Sequence, residues 1–396
     1  MVITFVSNYI NHHQLPFCRA MSSLSGEVEF YFVQVMPMEE KRKDMGWAVD
    51  EDEIPYLVRL YDDPGRARKL ILDSDVVLFG WTEGRISDLE QERLSSGKLS
   101  FRVSERIYRE GQWKFISPRG LAAKYREHIR YRNMPVYLLC TGAYVASDFS
   151  LIKAYPGKML KWGYFPEGST GTGQKSCESG KLQLLWVGRL IDLKHPEFAV
   201  KVAAKLKAMG LDFALNIVGE GPLKPMLGDM VEELGLSDVV TITGGKRPAE
   251  VREYMKKASV FLFTSNYLEG WGAVVNEAMQ QGCAVVASSE AGAVPFLIKD
   301  GENGLVYDGG SYDEFEKKVL QLLENRDMIE ILGRAATDTI NTLWNADVAA
   351  KELVRFCREY YEGQSPEPSQ QGPMSRAQVI PAPGFGRTLS EKNHLE

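Results

Sequence analysis

Residues 264–282 read TSNYLEGWGAVVNEAMQQG. An apolar run, Val260, Phe261, Leu262 and Phe263, stops here in a polar turn that carries Gly270 and Gly272. A helical pattern then begins at about Gly272. Two carboxylates, Glu269 and Glu277, stand eight residues apart, one ahead of the helix and one on it. On a helix over 272–281, Glu277 lies about one and a half turns in, roughly 8 Å along the axis. A strand that empties into a helix N-terminus is where an α/β fold gathers the negative charge of a ligand. The stretch therefore offers amides for an anion and carboxylates for hydroxyl groups. A plainer reading keeps Glu269 as an acid beside a helix dipole and Glu277 as a surface residue.

Outward from this point the second half of the chain repeats one pattern. Apolar runs at 182–187, 213–218, 239–242, 260–263 and 284–287 alternate with helical patterns at about 196–209, 222–234, 248–257, 272–281 and 312–324. Such alternation predicts a parallel sheet flanked by helices, a doubly wound domain. Leu184-Leu185-Trp186-Val187 ends on Gly188, which lets a ligand approach the backbone. Arg189 and Lys194 flank the loop that follows, ahead of a helix with Pro196 in its first turn. A guanidinium forks onto two phosphate oxygens and an ammonium acts as a point charge, so the pair suits a diphosphate. It is equally a candidate for two solvated loop cations. Ile217-Val218-Gly219-Glu220-Gly221-Pro222 is a junction of the same kind, weaker because Gly and Pro punctuate many such turns.

The first half alternates in the same way. Strands are expected at 2–6, 28–35, 75–80, 99–103 and 136–140, with helices from Pro16 towards Leu24 and over 66–72. The charged run 38–53 is expected to be a mobile surface loop. Residues 166–180, PEGSTGTGQKSCESG, are poor in apolar side chains and form the clearest break, a linker. The chain from 364 to 396 is rich in Pro, Gly, Ser and Gln and is expected to be a disordered tail without a catalytic part. The domains expected are thus 1–165, the linker 166–180, 181–345, a helix over 346–363, and the tail 364–396.

Bulk properties narrow the function classes. A chain of 396 residues exceeds one ordinary core. A net charge of −6 argues against a general nucleic-acid binder. Five scattered cysteines (Cys18, Cys140, Cys177, Cys283, Cys357) without a CxxC pair fit reduced thiols rather than a disulfide framework or a zinc site. The opening MVITFVSNYINHHQ turns polar after six residues, so neither a signal peptide nor a membrane span is expected, and no apolar run is long enough to span elsewhere. A cytoplasmic protein is expected.

Five motifs then fall in one order: Val187-Gly188-Arg189-Leu190 with Lys194; Gly219-Glu220-Gly221-Pro222; Glu269-Gly270-Trp271-Gly272 leading to Glu277-Ala278-Met279; GAVP at 292–295; and Asp300-Gly301-Glu302-Asn303-Gly304. In order and spacing, across about 182–308, they resemble the retaining family-4 glycosyltransferases of the GT-B fold. The resemblance implies two Rossmann-like doubly wound domains facing across a cleft, with a C-terminal helix from about Ala346 crossing back to the first. It implies that Arg189 and Lys194 bind the donor diphosphate, Glu277 the ribose hydroxyls, and Glu269 the sugar ring. Amides around Trp271 and Gly272 would lie near sugar and phosphate, with Gly188 and Gly219 beside the donor. The loop Gly244-Gly245-Lys246-Arg247 would lie against the nucleobase.

The sequence also departs from the family. Trp271 stands where Phe is common, Ala273 where Leu is, and Phe296 follows Pro295 where an acid often does. The usual Gly-rich loop after the first strand is replaced by SNYINHHQLP at 7–16, and no His falls near the 140–144 turn. His12 and His13 are therefore candidates to accept the acceptor's proton or to donate to phosphate; the alternative is a polar loop with one buried, satisfied His. His128 is set aside as a helix position. Residues 119–132 carry Arg119, Lys124, Arg126, Arg130 and Arg132 against Glu127, with Leu121, Tyr125 and Ile129 on one stripe. Such a helix either covers the first core or rests on anionic lipid. Asp73-Ser74-Asp75 resembles a metal motif but leads into an apolar strand, so no catalytic metal and no cofactor beyond the substrate nucleotide sugar is expected.

The expected activity is metal-independent transfer of a sugar from a nucleoside diphosphate to a glycan or lipid-linked acceptor, in cell-envelope polysaccharide assembly, on the inner face of the membrane. The alternatives are a non-catalytic nucleotide-sugar-binding subunit and a nucleotide-sugar epimerase of the same fold.

Overall fold

The computed structural model describes residues 1–44, 46, 48–167 and 181–384. They form two compact units, one from Met1–Glu167 joined by the chain from Trp344 onward, the other ending at Leu343.

The first unit is a parallel sheet with helices between its strands. Its elements are β1 (Val2–Ser7), α1 (Leu15–Ser23), β2 (Glu29–Gln34), α2 (Glu40–Asp44), β3 (Leu57–Arg59), α3 (Pro64–Asp73), β4 (Val76–Phe79), α4 (Ser87–Ser95), β5 (Ser100–Ser104), α5 (Pro118–Glu127), β6 (Val136–Thr141), α6 (Val145–Leu151) and β7 (Met159–Trp162). The strands order as β3-β2-β1-β4-β5-β6-β7, parallel throughout. A parallel sheet is covered on both faces, which is why β4 is four consecutive buried apolar residues. The strands β3 and β7 escape the sequence reading because each is short and edge-placed, with no apolar run.

The second unit holds β8 (Leu182–Val187), α7 (Glu197–Ala208), β9 (Phe213–Val218), α8 (Lys224–Glu233), β10 (Val240–Gly244), α9 (Pro248–Lys257), β11 (Val260–Phe263), α10 (Ala273–Gln280), β12 (Ala284–Ser288), α11 (Val294–Leu297), β13 (Leu305–Tyr307), α12 (Tyr312–Glu324) and α13 (Arg326–Thr342). Its strand order is β10-β9-β8-β11-β12-β13. The five strands and five helices expected here are present. The short β13, the single turn α11 and the long α13 were not foreseen. Leu184, Trp186, Phe213, Ile217, Leu262, Val286, Phe315 and Leu332 belong to one core that joins the sheet to the helices on it.

The last helix, α14 (Ala346–Tyr361), belongs to the first unit. Phe356 packs edge-on against Phe101 and Tyr137, Arg358 pairs with Glu27, and Tyr361 donates to Asp75 O at 2.7 Å.

Two expectations of disorder are corrected. In the run 38–53, Asp50 caps a turn over Glu51–Glu53, and Arg59 pairs with Glu51 at 2.8 Å and with Asp52 at 3.1 Å. The polar composition here supplies ion pairs and caps rather than solvation. The tail is ordered as far as it is described. Met374 N donates to Lys161 O at 2.9 Å, Lys161 N to Ser375 O at 2.7 Å and Ala377 N to Met159 O at 3.0 Å, so the chain pairs along the edge of β7 and bridges antiparallel from Arg376 to Leu160. Arg355 of α14 adds a bond to Glu367 O at 3.1 Å. A lone strand edge presents unpaired amides and carbonyls, and it orders a segment that composition alone marks as unfolded. Residues 385–396, and 168–180 of the expected linker, lie outside the described residues.

Candidate functional site

In the second unit the chain runs outward from β8 through β9 to β10, then returns to lay β11 on the other side of β8. Loops leaving the C-terminal ends of β8 and β11 therefore depart in opposite directions, and the crevice between them is where an open α/β sheet binds ligand. Val260 and Phe261 of β11 pair with Leu184 and Leu185 of β8, which brings residues 188–195 beside residues 264–272. The two loops are bonded together. Asn266 N donates to Leu193 O at 2.8 Å, and Thr264 Oγ1 donates to Lys194 O at 2.6 Å while accepting Trp186 Nε1 at 2.8 Å. This brings Lys194 and Glu269, 75 residues apart, into an ion pair with side chains only 12% and 16% exposed. The Lys194 ammonium also lies 5.9 Å over the Phe263 ring.

Close backbone packing brings the β9 loop up to the β8 loop. A Cβ on Gly219 would stand 1.8 Å from the carbonyl oxygen of Gly188, so only glycine fits. Gly219 N donates to Gly244 O at 3.0 Å, tying in the β10 loop. Arg189, immediately after Gly188, is exposed and has no ion-pair partner among the described residues. Lys246 is also exposed, beside Gly245, whose amide donates to Glu220 Oε1 at 3.3 Å.

The helix α10 opens on Gly272, at φ +94°, where a Cβ would lie 2.7 Å from the Phe263 ring. No side chain caps this end, and the first amides of a helix have no partner within it. They are available to an anion. Trp271 is enclosed, 1% exposed, its indole donating to Asn276 Oδ1 at 2.8 Å. Its bulk thus shapes the protein behind the turn, and what it can offer a ligand is backbone.

Glu277 is half-buried and accepts no side-chain hydrogen bond among the described residues. The protein packed around it pushes its carboxyl up to about 7, against the opposing pull of the Arg252 charge. A crowded carboxyl without a partner is poised to receive hydroxyl donors, at a cost to the empty protein. Folding here favours the protonated form, so the stability is full below the unfolded value near 4.5 and is lost as pH rises through 7. Glu277→Gln should therefore melt higher than the parent at pH 8, with the gap closing by pH 5. Thermal melts across that range check it, and a gap that widens on acidification would contradict it.

The remaining candidates lie in the first unit. The rings of His12 and His13 lie tilted to one another with centroids 3.9 Å apart, and the Tyr164 ring lies tilted 5.5 Å from that of His13. Burial, reinforced by the His12 charge, pushes His13 down to about 3. A ring that weakly basic positions a hydroxyl by hydrogen bonding better than it takes its proton. His128 lies just past α5 rather than within it, buried and 2.8 Å from Tyr155 Oη, with burial holding it well below its ordinary value. Asp75 Oδ2 accepts Val2 N at 2.7 Å, and Ser74 Oγ shares a 2.7 Å bond with Thr4 Oγ1, so 73–75 carries the chain from the end of α3 into β4 rather than starting the strand.

The basic helix departs from the expectation that it covers the core. It ends at Glu127, none of its residues is buried, and Leu121 and Tyr125 are exposed together with Ile116. Among the described residues no helix is long and apolar enough to cross a membrane.

Sequence reasoning missed the groups that hold the site together: Thr264, Asn266 and Glu290, the last 4% exposed with an oxygen 3.2 Å from Tyr267 N. Their one signal is polarity immediately after an apolar strand, which any loop shares.

Residues 173–339 match the model of a family described as Glycosyl transferases group 1. The chain is similar to the GDP-mannose-dependent alpha-(1-6)-phosphatidylinositol monomannoside mannosyltransferase of Mycobacterium tuberculosis, 31% identical over 178 residues, covering 43% of this chain and 46% of that one. It is similar to the amylovoran biosynthesis glycosyltransferase AmsK of Erwinia amylovora, 28% identical over 180 residues and 44% of each. The chain thus matches less than half the length of these curated relatives. Among solved structures, Anabaena Alr3699/HepE in complex with UDP superposes with a TM-score of 0.65, at 13% identity, over 92% of this chain and 100% of that one. At that identity the likeness is one of fold. Over residues 173–339 the chain is thus similar to the glycosyl transferases group 1 family, and its two Rossmann-like units give it the α/β GT-B fold.

Proposed function

We propose that the protein is a retaining glycosyltransferase that moves a sugar from a nucleoside diphosphate to a glycan or glycolipid acceptor in cell-envelope polysaccharide assembly. The observation that carries this reading is the pairing of Lys194 with Glu269 at the crevice between β8 and β11, beside the uncapped start of α10. A cation, open helix amides and a carboxylate together match a diphosphate attached to a polyhydroxylated ring.

The chemistry follows from that match. The bond between the anomeric carbon and the β-phosphate oxygen breaks, and its electron pair leaves with the diphosphate. Arg189, Lys194 and the α10 amides stabilise that charge without a divalent ion. The acceptor oxygen bonds to the anomeric carbon from the face the diphosphate is leaving, and passes its proton to the departing phosphate. Glu269 orients Lys194 and the sugar, and Glu277 receives the ribose hydroxyls. His12 and His13 are assigned to the acceptor side.

The protein is placed by this reading at the inner face of the membrane. Ile116, Leu121 and Tyr125 lie exposed with Arg119 and Arg126, a mixture of apolar and cationic groups suited to anionic lipid.

Incubation with UDP-, GDP- and ADP-sugars, acceptor glycolipid and anionic vesicles tests the whole. One donor should be consumed, its sugar should appear on the acceptor with the anomeric configuration kept, and EDTA should leave the rate unchanged. Nucleotide-sugar binding without turnover would favour a non-catalytic subunit, and an interconverted free nucleotide sugar would favour an epimerase. Failure to float with the vesicles would remove the membrane contact.

A further inference from the structure

The turn that carries Lys194 and the turn that carries Glu269 are joined by one more side chain, for which the donor reading has no role. His195 stands at φ +44° and ψ +53°, a left-handed conformation uncommon for residues other than glycine, although histidine adopts it more readily than most, as asparagine and aspartate do. Its Nδ1 lies 2.9 Å from Glu197 Oε1, and its Nε2 lies 3.1 Å from Asn266 Nδ2. The Asn266 amide is oriented by Leu268, whose N–H donates to Asn266 Oδ1 at 3.0 Å. Asn266 Nδ2 is then the donor towards the ring, so Nε2 accepts and the ring proton sits on Nδ1, given to Glu197. A single proton arrangement satisfies all three side chains.

The backbone on both sides of this bridge leads straight to the ion pair. His195 follows Lys194 directly, and Glu197 begins α7. Across the crevice Asn266 N donates to Leu193 O at 2.8 Å, and Glu269 N donates to Asn266 O at 3.0 Å. Asn266 is therefore the residue from which the Glu269 turn hangs, and the imidazole braces it against the start of α7.

We propose that His195 is a positioning residue: held by Glu197, it fixes Asn266 and so keeps Lys194 and Glu269 in the geometry that receives a diphosphate. The proposal rests on the donor reading above, and it deepens it by adding the Glu197–His195–Asn266 relay to the site.

The test is calorimetric titration of UDP, GDP, UMP and GMP into the full-length parent, His195→Gly, Lys194→Ala and the double variant. Glycine accepts the left-handed backbone without strain, so His195→Gly removes the ring and leaves the turn. His195→Asn serves as a second variant, since asparagine also tolerates this conformation and is too short to span Glu197 and Asn266. Both should weaken binding of the preferred diphosphate about tenfold, the order of effect expected of a small misplacement, and leave the matching monophosphate unchanged. The double variant should bind the diphosphate no worse than Lys194→Ala, because residues that act through one another are not additive. Equal losses on monophosphate and diphosphate, full additivity, or unchanged diphosphate binding in both His195 variants would each overturn the proposal. If Lys194→Ala itself binds the diphosphate like the parent, the donor reading fails, and that outcome is distinct from the failure of His195 alone.

Discussion

Lys194→Ala is expected to lower the rate constant for sugar transfer by roughly 10²- to 10³-fold, the range seen when one preorganised group facing developing charge is removed. The size of the effect comes from where Lys194 is held. Its side chain is 12% exposed, fixed through Thr264 at its carbonyl, and paired with a Glu269 that is 16% exposed. On the proposed mechanism, removing the ammonium deletes the charge assigned to stabilise the leaving diphosphate, and it also leaves the Glu269 carboxylate uncompensated, where it would repel that same diphosphate. The nucleotide should bind more weakly as well, but the loss in rate should exceed the loss in affinity, since charge builds on the leaving group during the reaction. Lys194→Arg should recover only part of the rate, because a planar fork cannot replace a compact ammonium at the same point. Steady-state kinetics with the donor the parent uses will decide. A loss smaller than about tenfold would remove Lys194 from the leaving-group role.

Gly219→Ala is expected to have the largest effect on folding. A Cβ here would lie 1.8 Å from the Gly188 carbonyl oxygen. The obstacle is backbone, so no rotamer change relieves it, and β8 and β9 would have to separate at the end that carries Arg189. Overpacking of this kind costs about 3 kcal/mol, or more where backbone must move. For a unit of this size that corresponds to a fall of roughly 10 °C in melting temperature. Loss of the Gly219 N to Gly244 O bond would loosen the third loop of the site with it. Thermal melts of the purified variant check this, and a melt like the parent's would show the two loops to be slack.

The second half of the chain was legible because its strands are buried on both faces. Burial on both sides demands runs such as Val260-Phe261-Leu262-Phe263, which cannot be mistaken for loop. The glycines at the strand ends were legible for a related reason: close approach leaves room for no other residue, to the Gly188 backbone at Gly219 and to the Phe263 ring at Gly272. The strands β3 and β7 were not legible, since both are short and lie at the ends of the strand order, where no long apolar run is needed. The tail misled for the opposite reason. Met374 is fully buried and Ser375 nearly so, in a segment whose composition is that of an unfolded chain, because the open edge of β7 supplies the bonding partners that composition does not record.

At the candidate site the division is sharper still. The residue types, their order, and the α/β alternation that puts Arg189, Lys194, Glu269 and Glu277 at strand ends and a helix start follow from the sequence alone. These are local properties, set by burial patterns and by turn chemistry. That Lys194 meets Glu269 across 75 residues, that Trp271 is enclosed, and that crowding lifts Glu277 to about 7 were decided by the tertiary structure. Each depends on how far two loops approach and how much water they exclude. Those distances are set only when β11 returns to lie beside β8, a contact no local pattern encodes.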